Sequence, residues 1–230
     1  MLDLRFCAPA DLVVFDHDGT LVNSLPVVVE ASNEVMATFG FERRSRAEIV
    51  AGMVHPTATR LGLLAGTLDP AIRKDMARLY GELALRSSEL AELYPGIMSL
   101  LRDLKGLGLP LAVLSNSEGI FVRTILKRLE VDKYFFRLTG EEDMPAPKPD
   151  PRGLQRILEL AGCGPRRAVY VGDSRTDLDT ARAAGLQAIG VTWGAHPRVE
   201  LAALGFDALV DDPSQLFSLL KGSLTAVNPR

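Results

Sequence analysis

Leu12-Val13-Val14-Phe15-Asp16-His17-Asp18-Gly19-Thr20 is the stretch on which the fold turns. Its apolar, partly β-branched run is bounded and about as long as a buried strand, so it reads as the first strand of a parallel sheet, with Asp16 at the carboxyl end. Ligands of open α/β sheets bind at that edge. Period-two alternation points Asp16 and Asp18 the same way, and Gly19 lets the chain turn and bring backbone N–H groups towards a ligand. Two carboxylates so placed suit a divalent cation. The same residues also read as an Asp/Gly turn closing a strand.

Around this centre the composition is ordinary. The chain has 230 residues, 47% of them hydrophobic and 24% charged, enough for one good core with a smaller inserted domain. A formal net charge of −3 gives no basic field for a nucleic-acid backbone, so nucleic acid is not an expected partner, and neither is a membrane. Cys7 and Cys163 cannot build a disulfide framework and point to a reduced, cytoplasmic protein. The short N-terminal apolar stretch is interrupted by Asp3, Arg5 and Asp11, and cleavage of a signal there would destroy the site.

Following the chain, residues 25–39 are helix-compatible, with Ser24 as N-cap, Pro26 in the first turn and Gly40 as the stop. Residues 45–90 carry only helical signals, broken at Gly52, Gly66 and Asp69-Pro70. From Tyr94-Pro95-Gly96 onward the rhythm alternates. Helices are expected at 97–105, 119–129, 151–161, 176–184, 199–204 and 213–220, and strands at 109–114, 135–139, 168–171, 187–191 and 208–210. Alternation of this kind implies a parallel sheet with right-handed crossovers. Residues 222–230 read as a loose tail.

Three further stretches carry chemistry. Ser115-Asn116-Ser117 ends a strand shortly before a helix, where a hydroxyl, an amide and N–H groups form a phosphate-oxygen cradle or, in the alternative, a helix cap. Lys148 stands in Ala146-Pro147-Lys148-Pro149-Asp150-Pro151, whose prolines leave the backbone few conformations. Asp173, at another strand end, would complete a magnesium site begun by the first two aspartates. Asp177 reads either as a first-turn helix acid or as a carboxylate behind those ligands, orienting Lys148 or a metal-bound water.

Taken together, Asp16-x-Asp18-Gly-Thr, Ser115, Lys148-Pro-x-Pro and Gly172-Asp173 with Asp177 resemble, in order and spacing, the four motifs of the haloacid dehalogenase superfamily in its phosphatase branch. The resemblance covers residues 12–194 and is closest to the phosphoglycolate phosphatase type. It implies an α/β fold: a Rossmann-like parallel core over residues 1–22 and 92–230, with an inserted α-helical cap over residues 23–91. It implies Mg²⁺-dependent hydrolysis of a small phosphorylated metabolite by a monomer or homodimer, with Asp16 as nucleophile and Asp18 as general acid and base. Ser115, Asn116 and Lys148 would bind the phosphoryl group, and Thr20 would stand with Asp177 behind the metal ligands. The dehalogenase branch lacks the second aspartate, which disfavours carbon–halogen cleavage. Two alternatives stand beside hydrolysis: a phosphomutase of the β-phosphoglucomutase type, and a catalytically idle binding protein of the same fold. Cap loops of the family choose the substrate, which makes His55 a specificity candidate. His17 should point away from the aspartates and pack, Trp193 should pack at a strand end, and Arg43, Arg44 and Arg46 read either as a solvated helix start or as contacts to an anionic substrate, the first being favoured.

Overall fold

The computed structural model describes residues 10–53 and 55–225. Cys7 and the last five residues of the expected tail lie outside the described residues. The chain opens with β1 (Leu12–Phe15) and the short strand β2 (Val22–Asn23). Helices α1 (Leu25–Thr38), α2 (Arg46–Gly52), α3 (Thr57–Ala65) and α4 (Pro70–Arg86) follow. After strand β3 (Glu92–Leu93), helices and strands alternate as α5 (Ile97–Gly106), β4 (Leu111–Leu114), α6 (Gly119–Arg128), β5 (Arg137–Thr139), α7 (Arg152–Ala161) and β6 (Ala168–Gly172). The last elements are α8 (Arg175–Ala184), β7 (Gln187–Val191), α9 (Arg198–Leu204), β8 (Ala208–Val210) and α10 (Pro213–Thr225).

Contacts divide the chain into two compact units. The described residues up to Asn23 and from Leu93 onward form one, and Ser24–Glu92 form the other. The first is built on a six-stranded parallel sheet in the order β5-β4-β1-β6-β7-β8, an α/β, Rossmann-like core. β1, β4 and β6 are buried along their whole length, as strands with helices on both faces must be. Leu12 and Val14 of β1 join Ala112, Leu114 and Tyr170 with Leu154 and Ile157 of α7 and Leu178 and Ala181 of α8 in one apolar cluster. Each such leucine or isoleucine contributes about 1.5–3 kcal/mol by leaving water.

The second unit is all-helical among its described residues up to Ala91. Its helix starts are chemically set. Ser45 and Glu48 form a reciprocal capping box at α2, and the Asp69 carboxylate accepts from the N–H groups of Ala71 and Ile72 at the start of α4, with Pro70 in the first turn. Ser24, expected to cap α1, makes no side-chain cap bond.

Several boundaries differ from the sequence expectation. α4 ends at Arg86 and a 3₁₀ turn carries the chain over Ser88–Leu90. α5 runs one residue further than expected, to Gly106, and Gly108, at φ +75°, makes the reversal. α10 runs through Gly222 to Thr225, so the part of the expected tail that is described is helix. β2 and β3 are two residues each, too short to show a period. Among the described residues no helix is long and apolar enough to cross a membrane.

Candidate active site

Sheet register assembles the site. Phe15 stands opposite Val113 on one side and Val171 on the other, so Asp16 leaves the sheet at the same carboxyl edge as Ser115 and Asp173. The Asp16 N–H still donates to the Val171 carbonyl, at 2.8 Å, which extends the ladder by one residue and fixes the carboxylate's root.

Lys148 is the hub of the cluster. Its ammonium donates to Asp16 Oδ1 at 2.6 Å, to Asp177 Oδ1 at 2.7 Å and to the Tyr170 hydroxyl oxygen at 3.1 Å, which uses all three of its protons. The Tyr170 hydroxyl in turn donates to the Leu114 carbonyl at 3.0 Å. Asp177 is fully buried; its other oxygen accepts from the Ser174 N–H and hydroxyl in the capping box of α8. Burial pulls the Lys148 ammonium down, but Asp16 and Asp177 more than offset this and hold its pKa well above the usual lysine value.

Asp18 turns to a different group. Its Oδ2 accepts from the Ser117 hydroxyl at 2.6 Å and the Ser115 hydroxyl at 3.4 Å, while Ser115 Oγ accepts from the Ser117 N–H at 3.0 Å. His17, completely buried, packs edge-on against Phe121, but it does not point away from both aspartates as strand alternation suggested. Its Nδ1 lies 3.1 Å from Asp18 Oδ1 but is not aligned to donate to it.

Asp173 sits between two glycines. A Cβ on Gly19, which turns at φ +79°, or on Gly194 would come within 2.2 Å of Asp173 Oδ2. That oxygen accepts from the Ala195 N–H at 3.0 Å. Trp193 ties the same turn to the opening motif by donating to the Thr20 carbonyl at 2.9 Å. The Thr20 hydroxyl, buried, has no hydrogen-bond partner among the described residues, so it supports none of the aspartates through a hydrogen bond.

The charge balance is strongly negative. Asp16, Asp173 and Asp177 each offer a carboxylate oxygen within 4.8 Å of the others, with Asp18 nearby, against one ammonium. Burial first, then the charge of Asp177, pushes the Asp16 carboxyl well up, with Lys148 pulling the other way. Burial and Asp177 push Asp173 up to about 7. Desolvated carboxylates in excess of their counter-charge, all hard oxygen donors, fit Mg²⁺. Asp177 has both oxygens engaged, so Asp16 and Asp173 are the side chains best placed to ligate it.

The structure thus brings Asp16, Asp18, Ser115, Lys148, Asp173 and Asp177 together in the sheet unit. Asn116 joins them in another capacity from the one read in the sequence. Its side-chain oxygen accepts from the Lys148 N–H at 2.7 Å and its amide donates to the Lys148 carbonyl at 3.0 Å, so it grips the lysine's peptide rather than presenting its side chain to phosphate. His55 belongs to the helical unit, where it lines a cleft with Arg44, Glu48 and Arg60. Arg44 is only partly solvated, since Asn33 brackets its peptide and its Nε donates to the Leu64 carbonyl, while Arg43 and Arg46 are exposed. Sequence reasoning missed Tyr170 and Ser117. A tyrosine inside an apolar strand must find a polar partner, which is the signal that could have exposed Tyr170.

A sequence model of the haloacid dehalogenase-like hydrolase family matches residues 13–191, and the chain belongs to that family. A phosphoglycolate phosphatase of Pseudomonas putida is 31% identical over 220 residues, spanning 92% of this chain and 79% of that protein. Phosphoglycolate phosphatase 1 of Pseudomonas aeruginosa is 34% identical over 190 residues, 80% of this chain and 70% of that one. Among solved structures, a predicted phosphoglycolate phosphatase from Haemophilus somnus 129pt superposes with a TM-score of 0.84 at 27% identity, covering 92% of this chain and 98% of that one.

Proposed function

We propose that this protein is a cytoplasmic, Mg²⁺-dependent phosphatase that cleaves a small phosphorylated metabolite, with phosphoglycolate the first candidate, through an aspartyl phosphate on Asp16. The observation that carries the reading is the buried Lys148 ammonium held 2.6 Å from Asp16 and 2.7 Å from Asp177. It is a fixed cation beside a strand-end carboxylate at a sheet edge that also presents Ser115 and Asp173. The names of the relatives point the same way on substrate.

Phosphate monoesters are inert, and an anionic carboxylate approaches an anionic phosphorus only where the charge is neutralised. Mg²⁺, held by Asp16, Asp173 and the Asp18 carbonyl, would supply part of that neutralisation. The Ser115 hydroxyl holds a phosphoryl oxygen, and Lys148, whose three protons are placed on Asp16, Asp177 and Tyr170, offsets phosphoryl charge at close range and keeps Asp16 aimed. Asp16 attacks phosphorus in line as the bond to the leaving oxygen breaks. Asp18, steadied by Ser117, gives its proton to that oxygen and then takes one from the water that hydrolyses the acyl phosphate.

The test is phosphate release with Mg²⁺ from phosphoglycolate, sugar phosphates, nucleotides and pyrophosphate, with Asp16→Asn as the blank. Release from phosphoglycolate well above the rest and absent in the blank is the expected result. Equal traces from wild type and Asp16→Asn across the panel would sink the proposal.

A further inference from the structure

Tyr170 is a completely buried phenol in the middle of an apolar strand, between Val169 and Val171 of β6. For packing alone a phenylalanine would serve, because a buried hydroxyl costs stability unless it is hydrogen-bonded. This hydroxyl finds its partners at the active-site end of the sheet. It accepts from the Lys148 ammonium at 3.1 Å, and its oxygen lies 3.0 Å from the Leu114 carbonyl and 3.2 Å from Asp177 Oδ1. Burial raises its pKa well above the usual tyrosine value, so the phenol keeps its single proton, and the nearer acceptor, the Leu114 carbonyl, receives it. Leu114 is the last residue of β4, and its carbonyl belongs to the peptide that carries Ser115. One hydroxyl therefore joins the ends of β4 and β6 to a lysine that arrives from the loop before α7.

The geometry at the lysine shows what this hydroxyl adds. Two of the ammonium protons go to Asp16 Oδ1 at 2.6 Å and Asp177 Oδ1 at 2.7 Å. Two partners alone leave the ammonium free to swing about the line between them; a third, off that line, fixes it. The third is the Tyr170 oxygen, carried on a rigid ring packed among Leu12, Val14, Leu154 and Leu178. The phenol is neutral and offsets no carboxylate charge, so its contribution is position.

We propose that Tyr170 is a positioning residue for phosphoryl transfer, its hydroxyl acting as the third anchor that fixes the Lys148 ammonium between Asp16 and Asp177 and ties it to the strand end presenting Ser115. This deepens the phosphatase reading above and rests on it. Tyr170 acts on Asp16 through Lys148.

Tyr170→Phe keeps the ring and removes the anchor. In the full-length enzyme with Mg²⁺ and the best substrate of the panel, kcat should fall about tenfold while KM stays within about twofold, because substrate still binds but Asp16 is no longer held in line. Circular dichroism and urea unfolding refer each rate to folded enzyme. Combining Tyr170→Phe with Asn116→Ala tests the route: Asn116 grips the Lys148 peptide and Tyr170 its ammonium, so the two losses in kcat should combine to less than their product. If Tyr170→Phe does not fold, Tyr170→Met takes its place. Wild-type kcat in the folded variant, a loss confined to KM, or losses that simply multiply would overturn the positioning role, with the phosphatase reading still standing on wild-type turnover. A wild type that releases no more phosphate than Asp16→Asn from any substrate removes the phosphatase reading itself, and this role with it.

Discussion

Asn116 brackets the Lys148 peptide, accepting from its N–H at 2.7 Å and donating to its carbonyl at 3.0 Å across 32 residues of chain. The lysine reaches Asp16 and Asp177 from a backbone clamped on both sides. Asn116→Ala removes both bonds and leaves two part-buried backbone groups to water, so a loss of about 1–3 kcal/mol in urea unfolding is expected. Turnover should fall about tenfold or more, because a misplaced ammonium no longer aims Asp16. Asn116→Asp keeps the acceptor and loses the donor, and should lie between. Wild-type turnover in Asn116→Ala would remove the clamp from the catalytic account.

Ser117 holds the carboxylate proposed as acid and base, with its hydroxyl 2.6 Å from Asp18 Oδ2. Ser117→Ala should slow hydrolysis of alkyl phosphates, whose leaving oxygens need a proton, more than that of aryl phosphates, whose leaving groups do not. A leaving-group series compares the two slopes. Equal losses along the series would mean that Ser117 acts only through structure.

Asp173 predicts how stability responds to pH. Its carboxyl titrates at about 7 in the fold, against 3.8 when solvated, because burial and Asp177 disfavour its charge. The metal-free folded state therefore holds a proton that the unfolded chain releases, and stability declines as pH rises from about 4 to 7, by a few kcal/mol from this group, with Asp16 acting in the same direction. Thermal unfolding of metal-free protein should show lower midpoints at pH 7.5 than at pH 5.5, and Asp173→Asn should flatten the slope. Mg²⁺ should raise the midpoint more at pH 7.5, where the carboxylates are ionised. A flat profile in metal-free wild type would contradict the burial argument.

Gly194 leaves the space that Asp173 occupies; a Cβ there would meet Asp173 Oδ2 at 2.2 Å and the Gly19 carbonyl at 2.5 Å. Gly194→Ala should displace Asp173 and weaken Mg²⁺ binding by about 10–100-fold, the scale seen when a ligand's support is disturbed. Titration of Mg²⁺ followed by calorimetry measures it. Affinity equal to wild type would mean that Asp173 is not a ligand.

Much of this was legible in the sequence. The apolar run before Asp16, the strand ending at Leu114 and the one ending at Gly172 were bounded and continuous, because a strand buried on both faces has no polar positions to blur it. Each ended in its chemical residue, so Asp16, Ser115 and Asp173 could be named before any contact was known. β2 and β3 were not legible, being too short for any period, and the end of α10 was misread because Gly222 is tolerated inside a helix held by its neighbours.

What the sequence determined alone is the order of elements and the identity of the strand-end groups, since these rest on local periodicity and on residue chemistry. What only the tertiary structure decided is which atoms those groups meet. Tyr170 beneath Lys148, Asn116 around its peptide and Gly194 against Asp173 all depend on where distant segments pack. Partnership and desolvation are set by three-dimensional neighbours, and no spacing along the chain encodes them.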